Sequence, residues 1–101
     1  MTTTEYEAYV LSRMKDFCDL NYMVIALNGE AGEVAEWHKK FNLRKNIAGK
    51  HSFTDLQDEL GDVLFYLTGL ARTNGWSLSD VMERNRAKLD DREAKGMKQI
   101  C

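Results

Sequence analysis

The sequence predicts an all-α fold, and three observations support that prediction. The 101 residues contain no proline, and the residues typical of turns gather in only a few places. Apolar side chains recur at the three- and four-residue spacing of a helix face. These features predict a four-helix-type bundle whose two central helices run antiparallel. We expect one domain over residues 1–101, with a core at 4–95 and a frayed tail at 96–101.

The first two predicted helices are separated near residue 20. The first begins at Thr4, whose hydroxyl and the Glu7 carboxylate have the spacing of a capping box, and it ends near Asp19 or Leu20. The second runs from about Asn21 to Phe41. Its apolar face carries four side chains at helical spacing: Met23, Leu27, Ala31 and Val34.

The rest of the sequence predicts a loop and two more helices. Residues 43–52 have no clear period and contain a glycine among several basic groups, so we expect a flexible connection there. A third helix, capped by Thr54, extends to Thr73 before the Asn-Gly stop signal. Its apolar stripe contains Leu56, Leu60, Val63, Leu67 and Leu70. Ser77 and Asp80 have capping-box spacing and open a fourth helix.

The composition argues against nucleic acid polymers and membranes as partners. The chain has 14 basic and 16 acidic side chains, which gives no strong positive field. It has neither a leader pattern nor an apolar run near the roughly 20 residues that span a bilayer, so we expect a cytoplasmic protein. Cys18, packed in the first helix, and Cys101 are expected to be free thiols. The small size favours a homo-dimer or homo-tetramer with a shared site.

Two carboxylate pairs lie on the central helices. Glu30 and Glu33 form an E-x-x-E pair in the second helix, and Glu59 and Asp62 form an E-x-x-D pair in the third. Residues three apart project from one side of a helix, and in both helices the first acid lies about 70–75° from the apolar stripe. Antiparallel packing would bring the two pairs together at one rim of the bundle.

Four converging acids predict a metal site. Like charges a few ångströms apart raise each other's pKa, and a cation relieves that conflict. Oxygen-only ligands suit a hard ion, so Mg²⁺ is expected, with Mn²⁺ as a substitute. The alternative is a solvated acidic face that is balanced by basic side chains: Lys39, Lys40, Lys45 and Arg72. The recurrence of the pair on two helices, with a glycine beside each, favours the metal site.

Three stretches of the sequence resemble the MazG-like family of all-α nucleoside triphosphate pyrophosphohydrolases. They are GEAGEVAEWHKK at 29–40, LQDELGDVLFYLTGLA at 56–71 and NRAKLDDR at 85–92. The resemblance implies Mg²⁺-dependent cleavage of a nucleoside triphosphate between its α and β phosphates in nucleotide-pool house-cleaning. It also implies helical dimers or tetramers. The family's metal ligands correspond to Glu30, Glu33, Glu59 and Asp62.

Further site residues follow from position and from the resemblance. Glu33 and Glu36 are the candidates for a catalytic base. Trp37 and Tyr66 lie one turn beyond the acids and are candidates for stacking on a nucleobase, although packing against a second subunit is nearly as well supported for Trp37. Lys39 is a candidate for phosphate binding. The family's N-x-x-K element adds Asn85 and Lys88 on the fourth helix, and Arg92 continues their polar stripe, although a solvated basic helix end is equally well supported for Arg92.

Two other functions remain open at this point. A phosphoribosyl-ATP pyrophosphohydrolase-like enzyme belongs to a related branch with the same architecture. A helical oligomerisation or regulatory module without catalysis is the alternative from a different class, and the presence of all four acids argues against it. His38 and His51 are expected at the surface, outside either carboxylate stripe.

Overall fold

The computed structural model describes residues 1–97, and it contains helices and turns with no strand in that range. Four α-helices follow one another along the chain: α1 (Thr3–Arg13), α2 (Leu20–His38), α3 (Phe53–Thr73) and α4 (Leu78–Ala94). A π-helical turn, Lys39–Leu43, continues α2. The all-α prediction is confirmed. Residues 98–101, which hold Cys101 and most of the predicted frayed tail, lie outside the described residues.

The residue that caps the start of α1 is not the predicted one. Thr2 is the N-cap: its hydroxyl accepts the Glu5 backbone N–H at 3.1 Å, and the Glu5 carboxylate accepts the Thr2 N–H at 2.9 Å. The predicted cap, Thr4 with Glu7, has the same spacing, so the pattern alone does not distinguish them. Glu7 instead accepts a hydrogen bond from the Leu78 backbone N–H at the start of α4.

The predicted end of the first helix was wrong. α1 ends at Arg13, and Asp19 is the N-cap of α2, where its carboxylate accepts the Tyr22 N–H at 2.9 Å. A capping residue has an extended backbone, so Asp19 cannot continue a helix. Phe17 and Cys18 therefore lie in the connection rather than in α1, and Cys18 is a half-buried free thiol there.

The other caps show one correction and one confirmation. Ser52, rather than Thr54, caps α3, and Asp55 completes its capping box. Ser77 and Asp80 form the predicted capping box of α4. The connection between α2 and α3 turns through left-handed backbone at Gly49, where φ is +66° and glycine carries no steric penalty.

The most extensive helix packing is between α2 and α3, which run in opposite directions. Residues early in α2 face residues late in α3, and the order reverses toward the connection. Three facing pairs show this order: Met23 with Gly69, Glu30 with Asp62, and Trp37 with Phe53. The two carboxylate pairs are therefore brought side by side.

Gly69 marks a close approach of the chain to α3. A Cβ atom at Gly69 would overlap Met23 Cε and lie 3.2 Å from Met14 Sδ, and Met23 is fully buried. Glycine is the residue that fits this contact without repacking. Gly29 and Gly32, which flank the first acid pair, face open space instead.

The single chain is broad for its length. Its radius of gyration is 16.5 Å, whereas a compact chain of this size has about 13 Å. Two positions of the predicted apolar stripes, Ala31 and Leu60, are exposed. α4 contacts α1 and α3 over short stretches. The four-helix-type bundle therefore stays a prediction. Among residues 1–97, no helix has both the length and the apolar character to cross a bilayer.

Candidate metal centre

Three carboxylates converge between α2 and α3. One oxygen from each of Glu30, Glu59 and Asp62 lies within 4.8 Å of the other two. Glu30 and Glu59 are half-buried, and Asp62 is exposed. Antiparallel packing places these groups together because Glu30 comes from the middle of α2 and the other two come from the middle of α3. The spacing lets one cation contact all three after small rotamer changes.

Burial and mutual repulsion oppose the ionisation of two of these acids. Burial is the largest cause that raises the pKa of Glu30, followed by the negative charges of Asp62, Glu59 and Glu33. Burial is also the largest cause that raises the pKa of Glu59, and the negative charges of Asp62 and Glu33 raise it further. The charges that raise these two pKa values are all negative. A bound cation would supply the compensating charge.

Glu33 lies beside this group rather than within it. Its carboxylate is exposed and is not among the three that meet within 4.8 Å. Its charge nevertheless raises the pKa of Glu30 and Glu59, and Glu33 and Glu59 line the same pocket. The structure thus brings together three of the four predicted ligands and leaves the fourth adjacent.

A polar pocket of about 170 Å³ extends from the acids toward the connection between α2 and α3. Five carboxylates line it: Glu33, Glu36, Asp55, Asp58 and Glu59. Lys40 and His51 line the same pocket. The sequence had suggested only a surface position for His51. No periodic pattern identifies it, because the turn that brings it back to α2 has no regular repeat.

Glu36 is held by two lysines. Its carboxylate lies 3.1 Å from the Lys39 ammonium and 3.3 Å from the Lys40 ammonium. Hydrogen bonds from these lysines lower the pKa of Glu36. A carboxylate with a lowered pKa and both oxygens engaged is a poor proton acceptor, so the geometry favours Glu33 over Glu36 as a base. Lys40 lines the pocket, whereas Lys39 does not.

Trp37 packs within its own chain. It is 7% exposed, stacks on Phe41 with ring centroids 5.0 Å apart, and lies 5.5 Å from the Phe53 ring. Its indole N–H donates to the Ser52 carbonyl at 2.8 Å. These contacts join the end of α2 to the start of α3. They leave little of the indole free to stack on a nucleobase or on a second subunit.

Two tyrosines lie close to the acids. Burial raises the pKa of Tyr66, with further contributions from Tyr22 and then from the charge of Glu30. Tyr66 is half-buried one turn beyond Asp62, as its spacing predicted. Tyr6 of α1 is not among the site residues that the sequence predicted. Burial also raises its pKa, and Asp62 contributes to that shift.

The predicted phosphate-binding residues of α4 lie elsewhere. Asn85 lines a largely apolar cleft of about 530 Å³ between α1, α3 and α4, and it shares a second cleft with Lys88. Arg92 is half-buried on the same helix. None of the three lines the acidic pocket. Within the described residues of a single chain, these three side chains do not lie in the pocket beside the carboxylates.

Comparisons with known proteins identify the family of this chain. A family model for the MazG nucleotide pyrophosphohydrolase domain matches residues 20–97, from the first residue of α2 through both carboxylate pairs. The chain is also 41% identical over 79 residues to Gene 37 protein of Mycobacterium phage L5, an alignment that covers 77% of this chain and 69% of that protein. The search of solved structures gave no significant match. Because the family model covers most of the sequence, the chain belongs to the MazG nucleotide pyrophosphohydrolase domain family.

Proposed function

We propose that the protein is a Mg²⁺-dependent nucleotide pyrophosphohydrolase that converts a nucleoside or deoxynucleoside triphosphate to the monophosphate and pyrophosphate. The observation that carries the proposal is the convergence of Glu30, Glu59 and Asp62 oxygens within 4.8 Å, beside an open polar pocket. Family membership supports the general class of activity. The metal, the substrate and the bond that is cleaved are the content of the proposal.

The donor atoms fit a hard divalent cation. All three are carboxylate oxygens, without nitrogen or sulfur. Mg²⁺ favours such ligands and keeps positions for water and phosphate, and Mn²⁺ accepts the same set. When bound, the cation supplies neutralisation of phosphate charge and a more acidic water. Glu30, Glu59 and Asp62 would hold it.

Glu33 is the side chain that we assign as the base. It is exposed in the pocket next to Glu59 and lies outside the three-carboxylate group, so an oxygen is free to accept the proton of an attacking water. Attack at the α-phosphorus forms the new P–O bond of the monophosphate. The bond to the β-phosphate breaks, and its electron pair leaves with pyrophosphate.

Tyr66 is the aromatic side chain that we assign to the nucleoside end of the site. Its half-buried ring lies one turn beyond Asp62, and the negative charge of Glu30 contributes to the raised pKa of its hydroxyl. An aromatic face at this place can stack on a base. Trp37 forms a wall of the pocket at the opposite end instead.

A second copy of the chain is proposed to complete the structure. Large apolar side chains on α2 and α3 are at least 40% exposed: Leu20, Val24, Ile25, Leu60 and Leu64. An oligomer that covers this surface would bury area that the single chain leaves in water. It would also offer a route for Asn85, Lys88 and Arg92 of one copy to reach the acids of another. Light scattering on the full chain tests this, and a monomer at micromolar concentration would contradict it.

A substrate panel tests the activity. Purified protein with Mg²⁺ is incubated with standard and modified nucleoside triphosphates and with phosphoribosyl-ATP, and the products are separated. Monophosphate and pyrophosphate in equal amounts support the proposal. Diphosphate with orthophosphate would mean that a different bond is cut. Turnover of phosphoribosyl-ATP alone would favour the related branch, and no turnover at all would favour a non-catalytic module.

A further inference from the structure

The segment from the end of α2 to the start of α3 carries positively charged side chains and no negatively charged ones. Residues 37–54 contain no Asp or Glu, although the whole chain has 16. The same segment contains five of the 14 lysine and arginine side chains: Lys39, Lys40, Arg44, Lys45 and Lys50. Lys39 and Lys40 are paired with Glu36, whereas Arg44, Lys45 and Lys50 form no ion pair within residues 1–97, so positive charge lies beside the acidic pocket.

Three cationic or titratable side chains of this segment share one cleft. Lys40, Arg44 and His51 line a space of about 360 Å³, together with Ile47 and Ala48. Lys40 and His51 also line the acidic pocket that adjoins the metal centre. The basic cleft and the acidic pocket are thus neighbours with two side chains in common.

Hydrogen bonds hold this segment in place. The Asn46 backbone N–H donates to the Lys40 carbonyl at 3.0 Å, which closes the turn after α2. The Asn46 side chain then binds the backbone of His51: its Nδ2 donates to the His51 carbonyl at 2.9 Å, and its Oδ1 accepts the His51 N–H at 3.1 Å. The sequence predicted a flexible connection here. The structure shows a hydrogen-bonded turn in which Lys40 and His51 line the same pocket.

The site is elongated along α3. Asp55 lines the acidic pocket near the connection, Glu59 belongs to both the pocket and the acid group, Asp62 follows, and Tyr66 lies one turn farther. At 1.5 Å per residue, Asp55 and Tyr66 are about 16 Å apart along the helix axis. Lys40 and His51 lie beside Asp55 at the connection end, the acid group lies in the middle, and Tyr66 lies at the other end.

We propose that Arg44, with Lys40 and His51, binds the phosphate group farthest from the nucleoside, so that the triphosphate extends from the metal centre toward the α2–α3 connection. This orientation rests on the proposed function. Arg44 forms no ion pair within residues 1–97, so its guanidinium is available. A guanidinium donates two parallel hydrogen bonds to phosphate oxygens, a geometry that lysine does not reproduce.

The physical need for such a group follows from charge. Phosphate oxygens next to five carboxylates are repelled unless cations lie between them, and cations at the acid group neutralise only the oxygens that they contact. The terminal phosphate of a triphosphate then needs its own partner. Lys40 and His51 line the acidic pocket, and Arg44 lines the adjoining cleft that shares these two side chains, where the terminal phosphate would emerge.

Binding of inorganic pyrophosphate and tripolyphosphate in Mg²⁺, measured by calorimetry on the full chain, tests the proposal without turnover. Arg44→Gln should weaken binding of both by about tenfold or more, the effect of losing a hydrogen bond to a charged group. Lys50→Gln removes the same charge from the same connection but not from the cleft, and it should change binding less than about twofold. Equal losses in the two variants, or no loss in Arg44→Gln, would overturn the proposal.

The orientation has a separate readout in turnover. Arg44→Gln should raise KM for the best triphosphate of the panel and leave the affinity for the matching monophosphate unchanged, because the monophosphate lacks the distal group. Weaker binding of the monophosphate by the same factor would place the nucleoside at the connection and overturn the orientation. If no triphosphate is hydrolysed but Arg44→Gln still weakens tripolyphosphate binding, the proposed function fails and the anion site stands. Circular dichroism confirms that both variants keep the helical fold.

Discussion

The α2–α3 pair and helix α4 differ in how completely their own chain positions them. α2 and α3 pack along their length, with Met23 against Gly69 at one end and Trp37 against Phe53 at the other. α4 has a single buried side chain, Leu78, whose backbone N–H is bound by Glu7 of α1. The acids are therefore positioned by packing within one chain. The predicted phosphate-binding residues of α4 are not.

The largest expected effect comes from the acids. Glu30→Gln should lower kcat/KM by about 10³-fold or more, because it removes a proposed metal ligand and transition-state stabilisation worth several kcal/mol. Glu36→Gln is the control: it removes a carboxylate that is paired with Lys39 and Lys40, and its effect should be below about tenfold. Steady-state kinetics in Mg²⁺ measure both. A loss in Glu36→Gln as large as that in Glu30→Gln would restore Glu36 as a catalytic residue.

The same variant has an opposite effect on metal-free stability. The pKa of Glu30 is raised by folding, so the folded state binds more protons than the unfolded state between the ordinary pKa and the raised one. The free energy of unfolding therefore falls as pH rises through that window, and the penalty is absent below the ordinary pKa. In EDTA at pH 7, Glu30→Gln should melt at or above the wild-type temperature, with the difference shrinking toward pH 4. A variant that melts well below wild type at pH 7 would make Glu30 a structural residue.

The close contact at Gly69 is expected to have the next largest effect. Gly69→Ala should leave the protein about 1–3 kcal/mol less stable than Gly29→Ala, because the ends of the Met23 and Met14 side chains must shift to admit a Cβ, whereas both variants share the helix propensity of alanine. Gly29→Ala is the matched control in α2, where no atom lies within 4 Å, and the higher helix propensity of alanine should stabilise it by up to about 1 kcal/mol. Urea unfolding measures both. A Gly69→Ala variant as stable as Gly29→Ala would mean that Met23 and Met14 repack freely.

The smallest effect is expected at the attachment of α4. Glu7→Gln should cost about 1 kcal/mol, since a charged acceptor at the Leu78 N–H becomes a neutral one at a helix N-terminus. Glu83→Gln is the control, because its 3.9 Å pair with Arg86 is exposed and should contribute little. Hydrogen exchange should show faster exchange in α4 than in α2 and α3 for Glu7→Gln. Uniform acceleration in all helices would contradict a separate attachment of α4.

The local structure was largely predictable, because it depends on neighbours in sequence. The 3.6-residue period and the turn residues predicted four helices, the end of α3 at Thr73 and the Ser77 cap of α4. The two E-x-x-E/D pairs predicted the acids that meet. Errors occurred where two local patterns were equivalent, as with Thr2 and Thr4, or where Asp19 served as a cap within an apparently helical stretch.

The amino-acid sequence by itself determined the all-α class, the family and the carboxylate chemistry, since each depends on residue types at short spacing. Tertiary structure alone decided which side chains meet. It separated Glu33 from the three converging acids, buried Trp37, and brought Lys40 and His51 to the acidic pocket. The physical reason is that the meeting of side chains depends on helix crossing and loop closure between residues far apart in the chain. Helical periodicity reports only on residues within one helix.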